Sequence, residues 1–167
     1  MRQPQNNDDM KTVIHRLTRS VSTISVHRRT LLSALVVCCA ITSLPVRAEE
    51  PIKVVYHLSD GLDQASRALA NIRNHLRAAP QTRIVVVALG DGIKFLLKDA
   101  SERNGTLFEP AVVALAKQGV EFRICMNTLA AHDVPLTQVI DAAKPVPSGV
   151  VEVARLQARE GFVYLRP

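Results

Sequence analysis

The chain has 167 residues, 47% of them hydrophobic, and a formal net charge of +6. The positive excess is confined to one end. Residues 1–48 hold Arg2, Lys11, Arg16, Arg19, Arg28, Arg29 and Arg47 against Asp8 and Asp9, leaving 14 basic and 13 acidic residues beyond them. No basic stripe or aromatic platform remains there to support a nucleic-acid partner.

The first 48 residues read as an export signal. A polar, basic stretch to Arg29 precedes an apolar run, Thr30 to Leu44. That run is shorter than the roughly 20 apolar residues a membrane span takes and has the length of a signal h-region. Pro45-Val-Arg-Ala48 resembles a small-residue cleavage site, with the cut after Ala48 and a mature domain over 49–167. Arg28-Arg29 just before the apolar run is similar to a twin-arginine signal, and a general secretory signal also carries basic residues there. Val37 before Cys38 does not fit a lipidation site, and an uncleaved anchor is the alternative reading. The expected location is the periplasm or another exported compartment, with no membrane attachment after cleavage.

The mature part is long enough to bury a core without disulfide staples. Cys38 and Cys39 leave with the leader, so Cys125 becomes the lone thiol in an oxidising compartment.

Ile52 to Leu58 is a β-branched run and reads as a strand. Ser59-Asp-Gly61 is a turn in which Asp60 can cap the next helix, with Asp63 in its first turn. Leu62, Ala65, Leu69, Ile72 and Leu76 then form one helical face, ended by Ala79-Pro80. Thr82 to Leu89 is almost continuously apolar, the pattern of a parallel strand buried on both faces. Gly90-Asp-Gly92 breaks it, and Ile93 to Leu97 starts a short helix.

Glu102 to Thr106 is a turn, with Asn104-Gly105 suited to positive φ; Asn104-Gly-Thr106 also matches a glycosylation sequon, which a bacterial type of export signal disfavours. Glu109 to Gln118 is a helix with Pro110 in its first turn, stopped by Gly119. Val120 to Cys125 alternates and reads as a third strand. Met126 to Thr128 is a turn from which Asn127 or Thr128 caps a short helix reaching His132. Lys144 to Pro147 is a brief extended segment. Ser148 caps a helix over Gly149–Glu160, and Gly161 to Leu165 is the last strand.

This alternation predicts an α/β fold: a single three-layer domain with a mainly parallel sheet covered by helices on both faces. Reactive groups in such sheets gather at the carboxyl ends of strands. Three loops are expected there: Ser59-Asp-Gly61, Gly90-Asp-Gly92 and Cys125-Met-Asn127.

Cys125 ends a strand and precedes a helix start, where backbone N–H groups stabilise a thiolate. An inward-facing, inert core cysteine fits the same position. Asp91, between Gly90 and Gly92, is either a pocket carboxylate or a solvated turn residue. His57 can pair with a carboxylate or thiolate, or sit as a hydrogen-bonded sheet histidine. His57, His75 and His132 lack metal-ligand spacing, so no metal or other cofactor is expected. No P-loop or nucleophile elbow is present.

Lys53-Val-Val-Tyr-His-Leu-Ser-Asp-Gly61, Val86-Val-Ala-Leu-Gly-Asp-Gly92, Gly119-Val-Glu-Phe-Arg-Ile-Cys125 and Asn127-Thr-Leu129 together resemble the DsrE/DsrF-like family of small sulfur-metabolism proteins. The ending from Pro147 to Gly161 is similar to an exported branch of it. The resemblance implies a compact α/β domain assembled as homotrimers or homohexamers. It also implies that Cys125, the cysteine after a central strand, carries sulfane sulfur as a persulfide exchanged with a donor or acceptor protein. Asn127 and the Gly90–Gly92 loop would then shape its pocket.

The alternative is a non-enzymatic ligand-binding or oligomeric interaction module with a buried structural Cys125. A general thiol redox enzyme is disfavoured, because the mature chain has no second, resolving cysteine.

Overall fold

The computed structural model describes residues 50–167, and the expected export signal over 1–48 lies outside them. The elements follow in chain order as β1 (Lys53–Leu58), α1 (Leu62–Ala78), β2 (Arg83–Ala88), a 3-10 segment (Gly90–Leu96), α2 (Phe108–Lys117), β3 (Glu121–Cys125), α3 (Met126–Ala131), a 3-10 turn (Leu136–Gln138), β4 (Ala143–Val146), α4 (Gly149–Glu160) and β5 (Val163–Leu165).

The strands form one parallel sheet in the order β4-β3-β2-β1-β5. The α/β reading therefore holds. β2, the most continuously apolar strand, is the central one, and Val85, Val86 and Val87 are fully buried. Burying each such side chain contributes about 1.5–3 kcal/mol.

Alternation along the strands divides the core. Val54, Tyr56, Leu58, Val86 and Ile124 pack with α1, α2 and the 3-10 segment. On the other face, Val55, Val85 and Val87 meet Val153 and Leu156 of α4. One face thus carries several helical elements and the other carries α4.

Phe95 fixes the 3-10 segment to the sheet. Its ring meets Phe108 and Phe122 edge-on, with centroids 6.0 and 6.3 Å away, a favoured aromatic geometry. Helical backbone begins at Gly90, earlier than the Ile93 start that the sequence predicts. Gly92 allows this: a Cβ there would lie 2.2 Å from the Leu58 carbonyl oxygen.

Two capping expectations fail. Asp60 does not cap α1, whose N-cap is Gly61. Gln64 instead accepts from the Ser59 and Asp60 N–H groups at 2.8 and 2.9 Å, while Arg166 takes the Asp60 carboxylate at 2.7 and 2.9 Å. The expected Met126–Thr128 turn is already the first turn of α3, with Cys125 as its N-cap. Ser148 does cap α4, accepting from the Val151 N–H at 3.5 Å. No described helix is long and apolar enough to cross a membrane.

Candidate functional site

A parallel sheet sends every strand's carboxyl end to the same rim, and the three expected loops meet there. Gly92 packs on the Leu58–Ser59 backbone, joining the first loop to the second. The Gly90 N–H donates to the Thr128 hydroxyl at 3.1 Å, joining the second to the third. Gly90 has φ +54°, a left-handed conformation that suits glycine.

Cys125 sits where these loops converge with the start of α4. It is 4% exposed. Burial pushes its thiol pKa up, but hydrogen bonds from the Thr128 hydroxyl and from the N–H groups of Gly149, Thr128 and Asn127 outweigh burial. The net effect holds the pKa below its ordinary value. Donors favour the charged form of an acid, so this set stabilises a thiolate.

The Thr128 hydroxyl is oriented for its role. Its oxygen accepts from Gly90, so its hydrogen is free to point at sulfur. Gly149 is equally specific. A Cβ there would lie 3.2 Å from the Cys125 Cβ and 2.9 Å from Leu89 Cδ2. The absence of that carbon lets the α4 backbone approach the thiol closely.

The other sequence candidates occupy different positions. Asn127 is exposed and serves through its backbone, its N–H also donating to the Pro147 carbonyl at 3.3 Å. Gly90 reaches the thiol through Thr128, and Gly92 supports the loop against β1. Asp91 projects to the surface, paired with Lys94 at 2.7 Å.

His57 stands two strands away from β3, with β2 between them. Its Nδ1 shares a 2.7 Å hydrogen bond with the Tyr164 hydroxyl, and its Nε2 is buried without a partner. Burial and then the Arg166 charge lower its pKa, partly offset by Asp60, so the imidazole is neutral near pH 7.

Thr128, Gly149 and Tyr164 escaped the sequence reading as site residues. Thr128 was visible only as a helix cap. Gly149, just inside a Ser148-capped helix that follows β4, carried the one usable signal: helix N–H groups delivered to the carboxyl rim.

Two surface grooves lie elsewhere. One of ≈ 520 Å³ is lined by Leu62, Asp63 and Arg103, and one of ≈ 490 Å³ by Tyr56, His75 and Arg166. Neither includes Cys125. They are open troughs at the surface, whereas donors converge on the thiol, which makes Cys125 the candidate site. Among the described residues no cluster of three or more His, Cys, Asp or Glu could hold a metal ion.

A model of the DsrE/DsrF-like family matches residues 53–166, nearly all of the described chain. The chain belongs to this family. Among solved structures, this DsrE/DsrF-like chain is similar to MTH1491 from Methanobacterium thermoautotrophicum, a protein of unknown function. The identity is 32% and the TM-score 0.62, over 70% of this chain and 99% of that one. It shares its fold with the ychN protein from E. coli, at 14% identity and TM-score 0.57, over 71% of this chain and 99% of that one. No curated protein matches.

Proposed function

We propose that this DsrE/DsrF-like protein is an exported sulfur carrier in which Cys125 holds sulfane sulfur as a persulfide. The observation that carries the reading is the donor set around the sulfur: one hydroxyl and three backbone N–H groups hold a buried thiol pKa down, where burial alone would raise it.

The step is a balanced transfer. The Cys125 thiolate attacks the outer sulfur of a donor such as thiosulfate. A Cys125 S–S bond forms, the donor's S–S bond breaks, and sulfite leaves with the bonding pair. The product persulfide carries the negative charge on its outer sulfur, one bond beyond the Cys125 sulfur that the donors hold. A sulfur-accepting protein reverses the step with its own thiolate. Assembly with further copies of this chain, and placement in the periplasm, belong to the same proposal.

Intact mass spectrometry tests it. Thiosulfate or polysulfide should add one sulfur mass to the protein with Cys38→Ser and Cys39→Ser, and none once Cys125→Ala is added. A Cys125→Ala protein that still gains the mass sinks the proposal.

A second reading, an interaction module with a structural cysteine, is favoured by the 4% exposure of Cys125. Thiol labelling of the folded protein separates the two. A labelling rate that rises with pH through a midpoint below that of a free thiol supports the carrier, and an inert thiol supports the module.

A further inference from the structure

The face of the sheet under α4 carries a closed ring of alternating charges. Arg83 meets Glu121 at 3.3 Å, Glu121 meets Arg123 at 2.7 Å, and Arg123 meets Glu152. Glu152 then meets Arg155 at 2.8 Å, Arg155 meets Glu160, and Glu160 returns to Arg83 at 3.6 Å. The ring's residues come from β2, β3 and α4.

It is not uniformly wet. The Arg123 and Glu152 side chains are each 12% exposed, whereas Arg83 is 45% exposed. The dry edge has a particular address. Arg123 lies two residues before Cys125, so both point to the same face of β3. Glu152 lies three residues after Gly149, in the first turn of α4. This edge therefore ties the strand that carries the thiol to the helical turn that carries one of its donors.

We propose that the Arg123–Glu152 pair is the clamp that seats the first turn of α4 on β3, and so holds the Gly149 N–H on the Cys125 sulfur. The two residues are positioning residues that act through Gly149. Gly149 packs closely on Leu89 and Cys125, with no room for a Cβ, and a planar guanidinium sharing a carboxylate holds the turn there by direction as well as by charge. The importance attached to the thiolate rests on the carrier reading, but the clamp itself does not.

Electrostatics and positioning predict opposite signs when the clamp is opened. Glu152→Gln removes a negative charge from the turn that carries Gly149 and releases part of the Arg123 charge. By Coulomb's law alone, both changes favour a thiolate and lower the thiol pKa. If the pair positions Gly149, the N–H drifts from the sulfur and the pKa rises instead.

The measurement is thiolate absorbance against pH, on the full chain with Cys38→Ser and Cys39→Ser so that Cys125 is the sole thiol. Glu152→Gln should cut the thiolate fraction below the midpoint by roughly tenfold, the loss expected when one charge-assisted hydrogen bond goes. Arg83→Gln, at the ring's wet edge, should leave the titration unchanged. Arg123→Lys, which keeps the charge without the planar fork, should move it the same way as Glu152→Gln and tests the proposal should that variant not fold.

An unchanged or lowered thiol pKa in folded Glu152→Gln or Arg123→Lys overturns the clamp. So does an Arg83→Gln variant shifted as far as either. No sulfur donor enters this titration. A protein that never gains sulfur mass can still show the clamp, and one that gains sulfur with an unmoved titration refutes the clamp alone.

Discussion

Replacing Thr128 by valine tests the arrangement around Cys125 at its narrowest point. Valine keeps the shape and removes the hydroxyl, so two hydrogen bonds are lost together. The Gly90 N–H, 3.1 Å from the hydroxyl oxygen, is left without that acceptor. An unsatisfied, partly buried N–H costs about 1–3 kcal/mol. The sulfur loses the first of the donors that hold its pKa down.

A hydrogen bond to a charged group is worth about 1.5–3 kcal/mol, and one pKa unit corresponds to about 1.4 kcal/mol. The three remaining N–H donors absorb part of the loss, so Thr128→Val should raise the thiol pKa by about one. Thr128→Ser should restore both the stability and the titration, because it returns the hydroxyl.

The assay pairs urea denaturation with thiolate absorbance against pH, in the background where Cys125 is the sole thiol. A Thr128→Val protein that titrates like wild type would refute the role given to this hydroxyl, whatever its stability. A serine variant that titrates like valine would show that shape, and not the hydroxyl, was responsible.

Two further outcomes follow from the fold. Gly92→Ala drives a carbon to 2.2 Å from the Leu58 carbonyl oxygen, a backbone atom with little room to yield. It should destabilise the protein by about 3 kcal/mol or more, while Gly105→Ala, at φ +84° with open space around it, should cost about 1 kcal/mol; equal thermal shifts for the two would contradict the packing described. Acid should weaken the fold. Hydrogen bonds from Arg155 and Arg123 hold Glu152 below the ordinary carboxylate value of 4.5, Arg123 does the same for Glu121, and burial holds His57 below 6.5. Groups with depressed pKa values add stability that is complete above their ordinary values and lost as pH falls through their folded ones. Thermal midpoints should therefore fall as pH drops below 6.5, steeply under 4.5, and a midpoint that rises on acidification would contradict this.

Much of the fold was legible because it rests on periodicity. The unbroken apolar run from Ile84 to Ala88 identified the central strand. The Leu62–Leu76 stripe identified α1, although Gln64 and Ala68 share its buried face. Pro145 in an extended segment suits an edge strand, where β4 lies.

Local capping was less legible because distant groups compete for the same atoms. Asp60 is a good cap by type, but Arg166, more than 100 residues later, takes its carboxylate. The site was half visible. Cys125 at a strand end before a helix could be read from spacing, and so could the Gly90–Gly92 loop. Thr128 and Gly149 could not, since their contact with sulfur depends on how three loops and α4 converge. The Arg–Glu ring was invisible for the same reason: its members span Arg83 to Glu160, and no local pattern pairs them.

The set of partners around Cys125 has a kinetic consequence. Each one donates a hydrogen: one hydroxyl, whose oxygen is already occupied by Gly90, and three amides. None is a base able to take the thiol's proton, and His57 is engaged with Tyr164 of the neighbouring β5, with β2 between it and the thiol's strand. The proton must therefore leave to water before any sulfur arrives, and only the thiolate fraction present at a given pH can react. A cysteine paired with a histidine titrates as a couple and gives a rate that rises and then falls with pH. Here the rate of sulfur uptake should climb through a single step and level off, tracking nothing but the standing population of thiolate.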